Sequence, residues 1–329
     1  MTVAAEFPDI DVLWSAEGPV AGFQHHRGIT HTFVGVPFEA ALIVGLIWVW
    51  HRARGRRETV APVRWGVLWV GAVIGLLSHL LLDYTNNYGL RPFFPFNPRW
   101  YAGSIVFIFE PVIFALLVGA LVMPVLFGLI NAEVGERKPK FRGRGWAVAA
   151  LLGICAVWVW RLNEHEKAVG LATQMDLSAS VPVGSGAVGV GRVSASPYPI
   201  NPYKWHLVVE GPGFYQIGTA NTLTGEVESS APQDVFFLPG TTVETLVAKR
   251  SRLGEAYLDW SQFPVVTDAS GSVDPDDPQA RWVVTFRDLR FAYDVSFLKG
   301  RTETPLTGRV VLDGGRRVVR MEMDGRGEK

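Results

Sequence analysis

Cysteine is nearly absent from this 329-residue chain, whose single Cys155 lies in an apolar run. A disulfide framework and a cysteine-ligated zinc site are therefore excluded, which leaves imidazole and carboxylate groups as metal ligands. The chain also has no net charge, since its 31 basic residues balance 31 acidic ones. This balance argues against a nucleic-acid partner held by phosphate contacts. The N-terminus has no basic region followed by an apolar core, so we predict no cleavable signal peptide.

Apolar residues are concentrated in the first half of the chain. Four runs approach the roughly 20 apolar residues that a membrane span needs, at residues 33–50, 65–84, 104–130 and 146–160. The third run contains Glu110. We therefore predict a multi-span α-helical membrane domain at residues 1–161, followed by a soluble domain at residues 162–329.

Basic residues cluster in two loops that alternate with these runs. Residues 51–64 contain five arginines, and residues 131–145 contain five lysines or arginines. The positive-inside tendency makes both loops cytoplasmic. The first 32 residues, the 85–103 loop and the soluble domain then lie on the extracytoplasmic side. We expect an integral protein of a bacterial inner (plasma) membrane that contacts membrane lipids.

A histidine and an aspartate lie inside the second apolar run. An ionisable residue at this depth costs roughly 2.5–3.5 kcal/mol on insertion scales, so His79 and Asp83 need a partner. Their i, i+4 spacing places them on one helical face. By the predicted topology, His26 and His31 lie at the same end of the membrane domain, so the two groups can meet. The alternative for His79 and Asp83 is a hydrogen bond between helices.

Two carboxylates near the N-terminus complete the candidate ligands. Asp9 and Asp11 follow a proline, and in an extended segment both would face the same side. His26 and His31 converge only if the chain turns at Gly28. Carboxylates and imidazoles together suit zinc, manganese or iron better than calcium, and we expect zinc first. The alternatives are a helix cap or turn for the two aspartates and a solvated loop for the two histidines.

The order of these motifs resembles the YdjM-like family of membrane-bound metal-dependent hydrolases. The resemblance covers residues 7–112. It is carried by Pro-Asp-Ile-Asp at 8–11, His-Arg-Gly-Ile-Thr-His at 26–31, His-Leu-Leu-Leu-Asp at 79–83 and Asn-Tyr-Gly at 87–89. Through its His-x-x-x-Asp helix the family is similar to zinc-dependent phospholipase C and P1-type nucleases, which implies phosphoester hydrolysis.

Two positions depart from the family pattern. An early histidine is missing, because Met1 stands only eight residues before Asp9, and we expect either a truncated start or an incomplete site. Glu110-Pro111 replaces an Asp-Pro pair in the third span, and Glu110 can still ligate a metal or hold a ligating histidine.

The second half of the chain predicts an α+β domain with a mainly antiparallel sheet. Period-two alternation predicts strands at residues 187–195, 205–209, 213–219, 282–286, 291–296, 308–313 and 317–324. Helical spacing predicts one helix at residues 241–258, and an Asp/Pro/Ser/Gly-rich segment predicts a loop at 268–279. We find no nucleophile motif, phosphate loop or metal cluster in this sequence region.

Two functions follow as hypotheses. The first is a membrane-bound metal-dependent hydrolase of a phosphoester, lipid or lipid-linked, at the outer membrane–water boundary. Its predicted metal ligands are His26, His31, His79, Asp83, Asp11 and Glu110, and its predicted catalytic residues are Asp9, Asp11 and Arg27. Arg27 would bind a substrate phosphate, or alternatively reach lipid headgroups. The second hypothesis is a non-catalytic membrane protein with a structural metal site and a partner-binding C-terminal domain.

Overall fold

The chain folds into two compact units. The computed structural model describes residues 2–54, 62–133, 143–177, 189–229, 233–270, 281–293 and 304–328. One unit comprises Met1–Gly103, Gly213–Tyr215 and Phe236–Lys329, and the other comprises Ser104–Pro212 and Gln216–Val235. Four apolar helices followed by antiparallel sheets confirm the predicted fold class. The domain boundary at residue 161 stays a prediction.

Short helices occupy the N-terminal segment of the first unit. Helix α1 (Thr2–Glu6) leads into a 3₁₀ helix at Phe7–Ala16, which is followed by α2 (Pro19–His25) and a 3₁₀ turn at Ile29–His31. The extended conformation predicted for Asp9 and Asp11 is therefore wrong. In a 3₁₀ helix of three residues per turn, residues two apart point to different sides.

The first two apolar runs form a packed pair of helices. Helices α3 (Gly35–Ala53) and α4 (Trp65–Thr85) are long and apolar enough to cross a membrane, which confirms the predictions at 33–50 and 65–84 within a few residues. Their shared core contains Ala40 and Ala72, and Ala4 of α1 packs into it. Such small residues let helix backbones approach closely. His79 and Asp83 lie in the last two turns of α4.

The other two runs form helices in the second unit. Helices α5 (Pro111–Glu133) and α6 (Arg144–Thr173) pack against each other and also qualify as spans. The prediction that the third span begins at residue 104 is wrong, because residues 104–110 are not helical. Proline favours the first helical position and disfavours helix in the residue before it. Glu110 therefore precedes α5 and is not inside the span.

Two antiparallel sheets follow the helices. The first has the order β1-β2-β3-β4, with β5 paired to β3, and the second has the order β10-β9-β8-β7-β6. The strands of the first sheet are β1 Val193–Pro197, β2 Lys204–Gly211, β3 Phe214–Asn221, β4 Glu226–Glu228 and β5 Val235–Phe237. Those of the second are β6 Pro264–Ser270, β7 Trp282–Asp288, β8 Gly308–Leu312, β9 Val318–Met323 and β10 Arg326–Glu328.

Three predictions of strands and loops in this half need correction. The strand predicted at 291–296 is wrong at its start, because Phe291 ends a 3₁₀ turn in which the Asp288 carboxylate caps the Arg290 N–H. Residues 294–296 lie outside the described residues. The loop predicted at 268–279 is wrong for residues 268–270, which pair with β7, and residues 271–279 lie outside the described residues. The strand predicted at 187–195 begins only at Val193, and residues 187–188 are not described.

The helix predicted at residues 241–258 is two helices. Helix α7 (Val243–Lys249) ends before Ser251, whose side chain accepts a hydrogen bond from the Gly254 N–H and begins α8 (Arg252–Trp260). A Cβ atom at Gly254 would lie 2.1 Å from the Ala248 carbonyl oxygen, so only glycine permits this close turn. Helix α8 buries Leu253, Tyr257 and Trp260 in the core of the second sheet.

We expect Gly254→Ala to destabilise the protein by about 2 kcal/mol, because the added methyl group collides with backbone that cannot move away. Thermal unfolding of the detergent-solubilised protein measures this change. Gly170→Ala is the matched control, since a Cβ atom at this helical glycine meets nothing within 4 Å. An equal loss of stability in both variants would contradict the collision.

Candidate metal centre

Four side chains of the first unit bring donor atoms to one point. The Nε2 atoms of His31 and His79 lie 3.3 Å apart. Asp83 Oδ2 lies 3.3 Å from His31 Nε2 and 3.5 Å from His79 Nε2. Asp9 Oδ1 lies 3.4 Å and 3.5 Å from the same two nitrogen atoms. The 3₁₀ turn before α3, the last turns of α4 and the N-terminal 3₁₀ helix therefore converge.

The spacing of the nitrogen and oxygen atoms suits a cation. Each carboxylate oxygen lies 3.3–3.5 Å from both nitrogens, which is close to the separation of neighbouring ligand atoms around an ion held at about 2.1 Å. Asp83 Oδ2 is buried and has no hydrogen-bond partner among the described residues. A buried carboxylate oxygen without a partner is costly, and a cation at this point would satisfy it. Asp9, His31 and His79 together form a group able to hold a metal ion.

The second nitrogen of each histidine ring is held by a protein acceptor. His79 Nδ1 lies 2.7 Å from the Ala5 carbonyl oxygen, which can only accept a hydrogen bond. Nδ1 therefore carries the proton, and Nε2 presents its lone pair to the cluster. His31 Nδ1 lies 3.3 Å from Asp11 Oδ2. Metal-binding histidines in proteins are oriented by acceptors of these two kinds.

Asp11 is not one of the four residues with converging atoms, but it contacts the outer nitrogen of the His31 ring. Its Oδ2 atom accepts a 2.7 Å hydrogen bond from the Arg27 N–H, and its Oδ1 atom lies 3.3 Å from His26 Nδ1. Burial opposes ionisation, but hydrogen bonds with His26 and His31 outweigh it and hold the pKa of the Asp11 carboxyl well below its usual range. Asp11 thus stays ionised and can orient the His31 ring.

The Arg27 side chain connects α4 to the loop that follows it. Its Nη2 atom donates a 2.6 Å hydrogen bond to Asp83 Oδ1, the oxygen that faces away from the four donor atoms. Its Nη1 atom donates to the Asn86 side chain at 3.3 Å and to the Gly89 carbonyl at 2.8 Å. Arg27 adopts a left-handed conformation with φ of 53°, which lets its N–H and its side chain reach different carboxylates. These contacts hold Asp83 in one orientation.

The cluster carries an excess of negative charge around His31. Burial lowers the pKa of His31, but the adjacent carboxylates of Asp11, Asp83 and Asp9 outweigh it and raise this pKa to about 10. The environment therefore favours positive charge at the centre, which a proton or a divalent cation can supply. A cation satisfies more of the converging lone pairs than one proton does.

One side of the cluster is open. The Asp9 side chain is 50% exposed, whereas His31, His79 and Asp83 are at most 14% exposed. A cavity of about 480 Å³ borders Asp9, and a second of about 650 Å³ borders Asp11 and Thr30. Ile10 lines both cavities. Access to the donor atoms is therefore from the Asp9 side.

The structure brings together most of the residues predicted from the sequence. Asp9, His31, His79 and Asp83 supply the converging atoms, Asp11 and Arg27 contact His31 and Asp83 from outside, and His26 contacts Asp11. Glu110 belongs to the second unit, and its role as a ligand stays a prediction. The Ala5 carbonyl was missed, since backbone acceptors leave no signal in a sequence.

Comparisons with known proteins found a family and a relative that this chain resembles. A family model described as YdjM inner membrane protein matches residues 1–168. The protein named "Uncharacterized protein YfhP" from Bacillus subtilis (strain 168) is 24% identical over 110 residues, covering 33% of this chain and 31% of that protein. The chain thus aligns with about a third of the length of this relative. No solved structure matches the chain.

The family match extends over half of the chain and includes all seven of the residues in and around the cluster. The distant likeness to phospholipase C and P1-type nucleases stays a prediction. Together with four helices long and apolar enough to cross a membrane, the match indicates an integral inner membrane protein. The chain belongs to the YdjM inner membrane protein family.

Proposed function

We propose that this protein is a membrane-bound metal-dependent hydrolase. The observation that carries the proposal is that Asp9 Oδ1 and Asp83 Oδ2 each lie 3.3–3.5 Å from two histidine Nε2 atoms that are 3.3 Å apart. We assign His31, His79 and Asp83 as the three buried ligands of a zinc ion, with manganese or iron as alternatives. Catalytic zinc sites keep three protein ligands and one open position.

The remaining residues have roles that follow from their contacts. When bound, zinc supplies Lewis acidity and lowers the pKa of a coordinated water. Asp9 is half-exposed at the open corner and acts as general base, accepting the proton of the attacking water at its carboxylate. Asp11 orients His31, and Arg27 orients Asp83. His26 holds Asp11, so direct ligation by His26 or Asp11 is not needed in this arrangement.

The surroundings of Asp9 favour an amphiphilic substrate. Val3 and Ile10 are 67% and 43% exposed and line the cavity that borders Asp9. The neighbouring cavity combines apolar Leu13 and Trp14 with the polar side chains of Gln24, His25, Thr30 and Arg91. An apolar chain beside an ionic centre suits a phosphoester of a lipid or a lipid-linked molecule. Membrane lipids are accordingly the partners that we propose.

The proposed site faces the extracytoplasmic side of the membrane. The basic segment 51–64 predicted as cytoplasmic joins the end of α3 to the start of α4, whereas His31 precedes α3 and Asp83 lies in the last turn of α4. The site is thus at the opposite ends of α3 and α4 from this segment. The positive-inside tendency then places the site outside the cytoplasm.

One observation favours the non-catalytic alternative. Asp9 Oδ1 lies within 3.5 Å of both histidine Nε2 atoms, and as a fourth ligand it would close the coordination shell, which is typical of structural zinc sites. In that case Asp9 is a permanent ligand, and the C-terminal domain binds a partner. The two proposals therefore differ in the role of Asp9, which is a general base in the first and a metal ligand in the second.

We expect the detergent-purified protein to contain close to one zinc per chain by plasma mass spectrometry. His79→Ala removes a buried nitrogen donor and should reduce zinc to background. His51→Ala is the control, because His51 lies in the last turn of α3, far along that helix from His31. Wild-type protein that holds no metal after resupply would overturn the proposed function.

We expect Asp9→Asn and Asp83→Asn to separate the catalytic role from the structural role. As a general base, Asp9 is worth about 100-fold or more in rate, so Asp9→Asn should keep zinc and lose hydrolysis of bis(4-nitrophenyl) phosphate. Asp83→Asn should lose zinc itself. If both variants lose zinc to the same extent, Asp9 is a ligand and the structural alternative holds.

We expect Ile10→Glu to reduce hydrolysis of phosphatidylglycerol in mixed micelles about tenfold, because Ile10 lines both cavities beside the cluster. Hydrolysis of the soluble bis(4-nitrophenyl) phosphate should change much less. Val12→Glu is the matched control, since Val12 is 63% exposed in the same 3₁₀ helix and lines neither cavity. Equal losses on both substrates would contradict an apolar-chain site.

A further inference from the structure

We propose that the second sheet positions the metal centre, with Arg290 and Trp260 fixing the loop that follows α4. This inference rests on the proposed metal site and assigns a role to the C-terminal part of the chain. The loop is the segment Asn86–Gly89, and all residues in the argument belong to the first unit. Arg290 and Trp260 are positioning residues, because they act on Asp83 through this loop.

Arg290 has a buried side chain that divides its hydrogen bonds between two partners. The side chains of Arg290 and Asp288 are 1% and 0% exposed, and Arg290 Nη2 donates to Asp288 Oδ2 at 2.8 Å. Its Nη1 atom donates instead to the Asn87 carbonyl at 2.8 Å. Asp288 also accepts hydrogen bonds from Ser261 Oγ and the Gln262 N–H, so it is fixed within the sheet unit. The guanidinium therefore holds the Asn87 carbonyl at a fixed position relative to Asp288.

Two further hydrogen bonds hold the same loop. Trp260 Nε1 donates to the Tyr88 carbonyl at 3.2 Å, and the two rings lie 4.9 Å apart. The Asn87 side-chain amide donates to the Tyr293 hydroxyl at 3.1 Å. The carbonyls of residues 87 and 88 are thus both bound by side chains that lie some two hundred residues later in the sequence.

The other side of the loop contacts Arg27. Arg27 Nη1 donates to the Asn86 side-chain oxygen and to the Gly89 carbonyl, and its guanidinium lies 4.8 Å from the Tyr88 ring centroid. Its Nη2 atom binds Asp83 Oδ1. A shift of the loop would therefore move the guanidinium and rotate the Asp83 carboxylate. Partners of this kind, one contact away from the ligands, commonly change metal affinity 10- to 100-fold when they are mutated.

The test uses Arg290→Lys and Trp260→Phe in the full-length protein. Lysine keeps the charge beside Asp288 but cannot reach two partners with a planar fork, and phenylalanine keeps an aromatic ring without the indole N–H. Trp282→Phe is the matched control, because Trp282 packs against the same core and its ring makes no contact with residues 86–89 among the contacts described. Zinc affinity is measured by competition with a chelator, and unfolding temperature is measured with and without zinc.

We expect both variants to weaken zinc binding about tenfold or more, with a smaller zinc-induced rise in unfolding temperature. Trp282→Phe should leave zinc affinity within about twofold, even if it lowers the unfolding temperature of the zinc-free protein. If the two variants lower stability equally with and without zinc and leave zinc affinity unchanged, the residues are merely structural and the proposal is wrong.

Hydrogen exchange of residues 83–90 in the zinc-free protein separates this inference from the proposed function. Faster exchange in Arg290→Lys and Trp260→Phe, but not in Trp282→Phe, supports the positioning of the loop even if the wild type proves unable to hydrolyse phosphoesters. Unchanged exchange overturns the positioning, whatever activity is found. Combining Arg290→Lys with Arg27→Lys should change zinc affinity less than the sum of the two separate effects. Both substitutions act on Asp83 through the contact between Arg27 and the loop.

Discussion

The ion pair between Arg27 and Asp83 decides which oxygen of that carboxylate is left for a cation. Oδ1 is bound to the guanidinium at 2.6 Å, so Oδ2 faces the two histidines with its lone pairs unshared. The Nε2 atoms of His31 and His79 lie within 3.5 Å of it, and Asp9 Oδ1 lies within 3.5 Å of the same two nitrogens. Lone pairs crowded in this way repel one another unless a positive charge lies among them. The arrangement of the surrounding residues can be understood as the means of holding these repelling atoms together.

The local part of this centre could be predicted from the sequence. The i, i+4 spacing of His79 and Asp83 follows from helix geometry, and their encounter with His31 follows from the order of the spans. The division of labour between Asp9 and Asp11 could not be predicted, because it depends on a 3₁₀ helix where an extended segment was expected. In that helix the two carboxylates approach opposite nitrogens of one imidazole ring, Nε2 and Nδ1.

The strands and helices of this half were predicted best where the pattern is regular and worst beside turns that depend on particular close contacts. Strands β7 and β8 match their predicted positions within two residues. The break at Ser251 depends on a glycine that packs against a carbonyl, and the turn at Leu289–Phe291 depends on an aspartate that binds an arginine. The roles of Arg290 and Trp260 were missed because the backbone carbonyls that they bind, those of Asn87 and Tyr88, are 203 and 172 residues away along the chain.

The last described strand carries a consequence for the order of assembly. The carboxylate of Glu328 accepts hydrogen bonds from the N–H groups of Val20 and Ala21 at the start of α2, and it also pairs with Arg252. Helix α2 leads directly into the segment that carries His26, Arg27 and His31. During synthesis, this N-terminal segment is made about three hundred residues before Glu328, the residue that binds the start of α2. The contacts of this segment with Glu328 can therefore form only after both pairs of spans have been made. Under the proposed function, the metal site would then be completed late, with the second sheet and not on entry of the first helices into the bilayer.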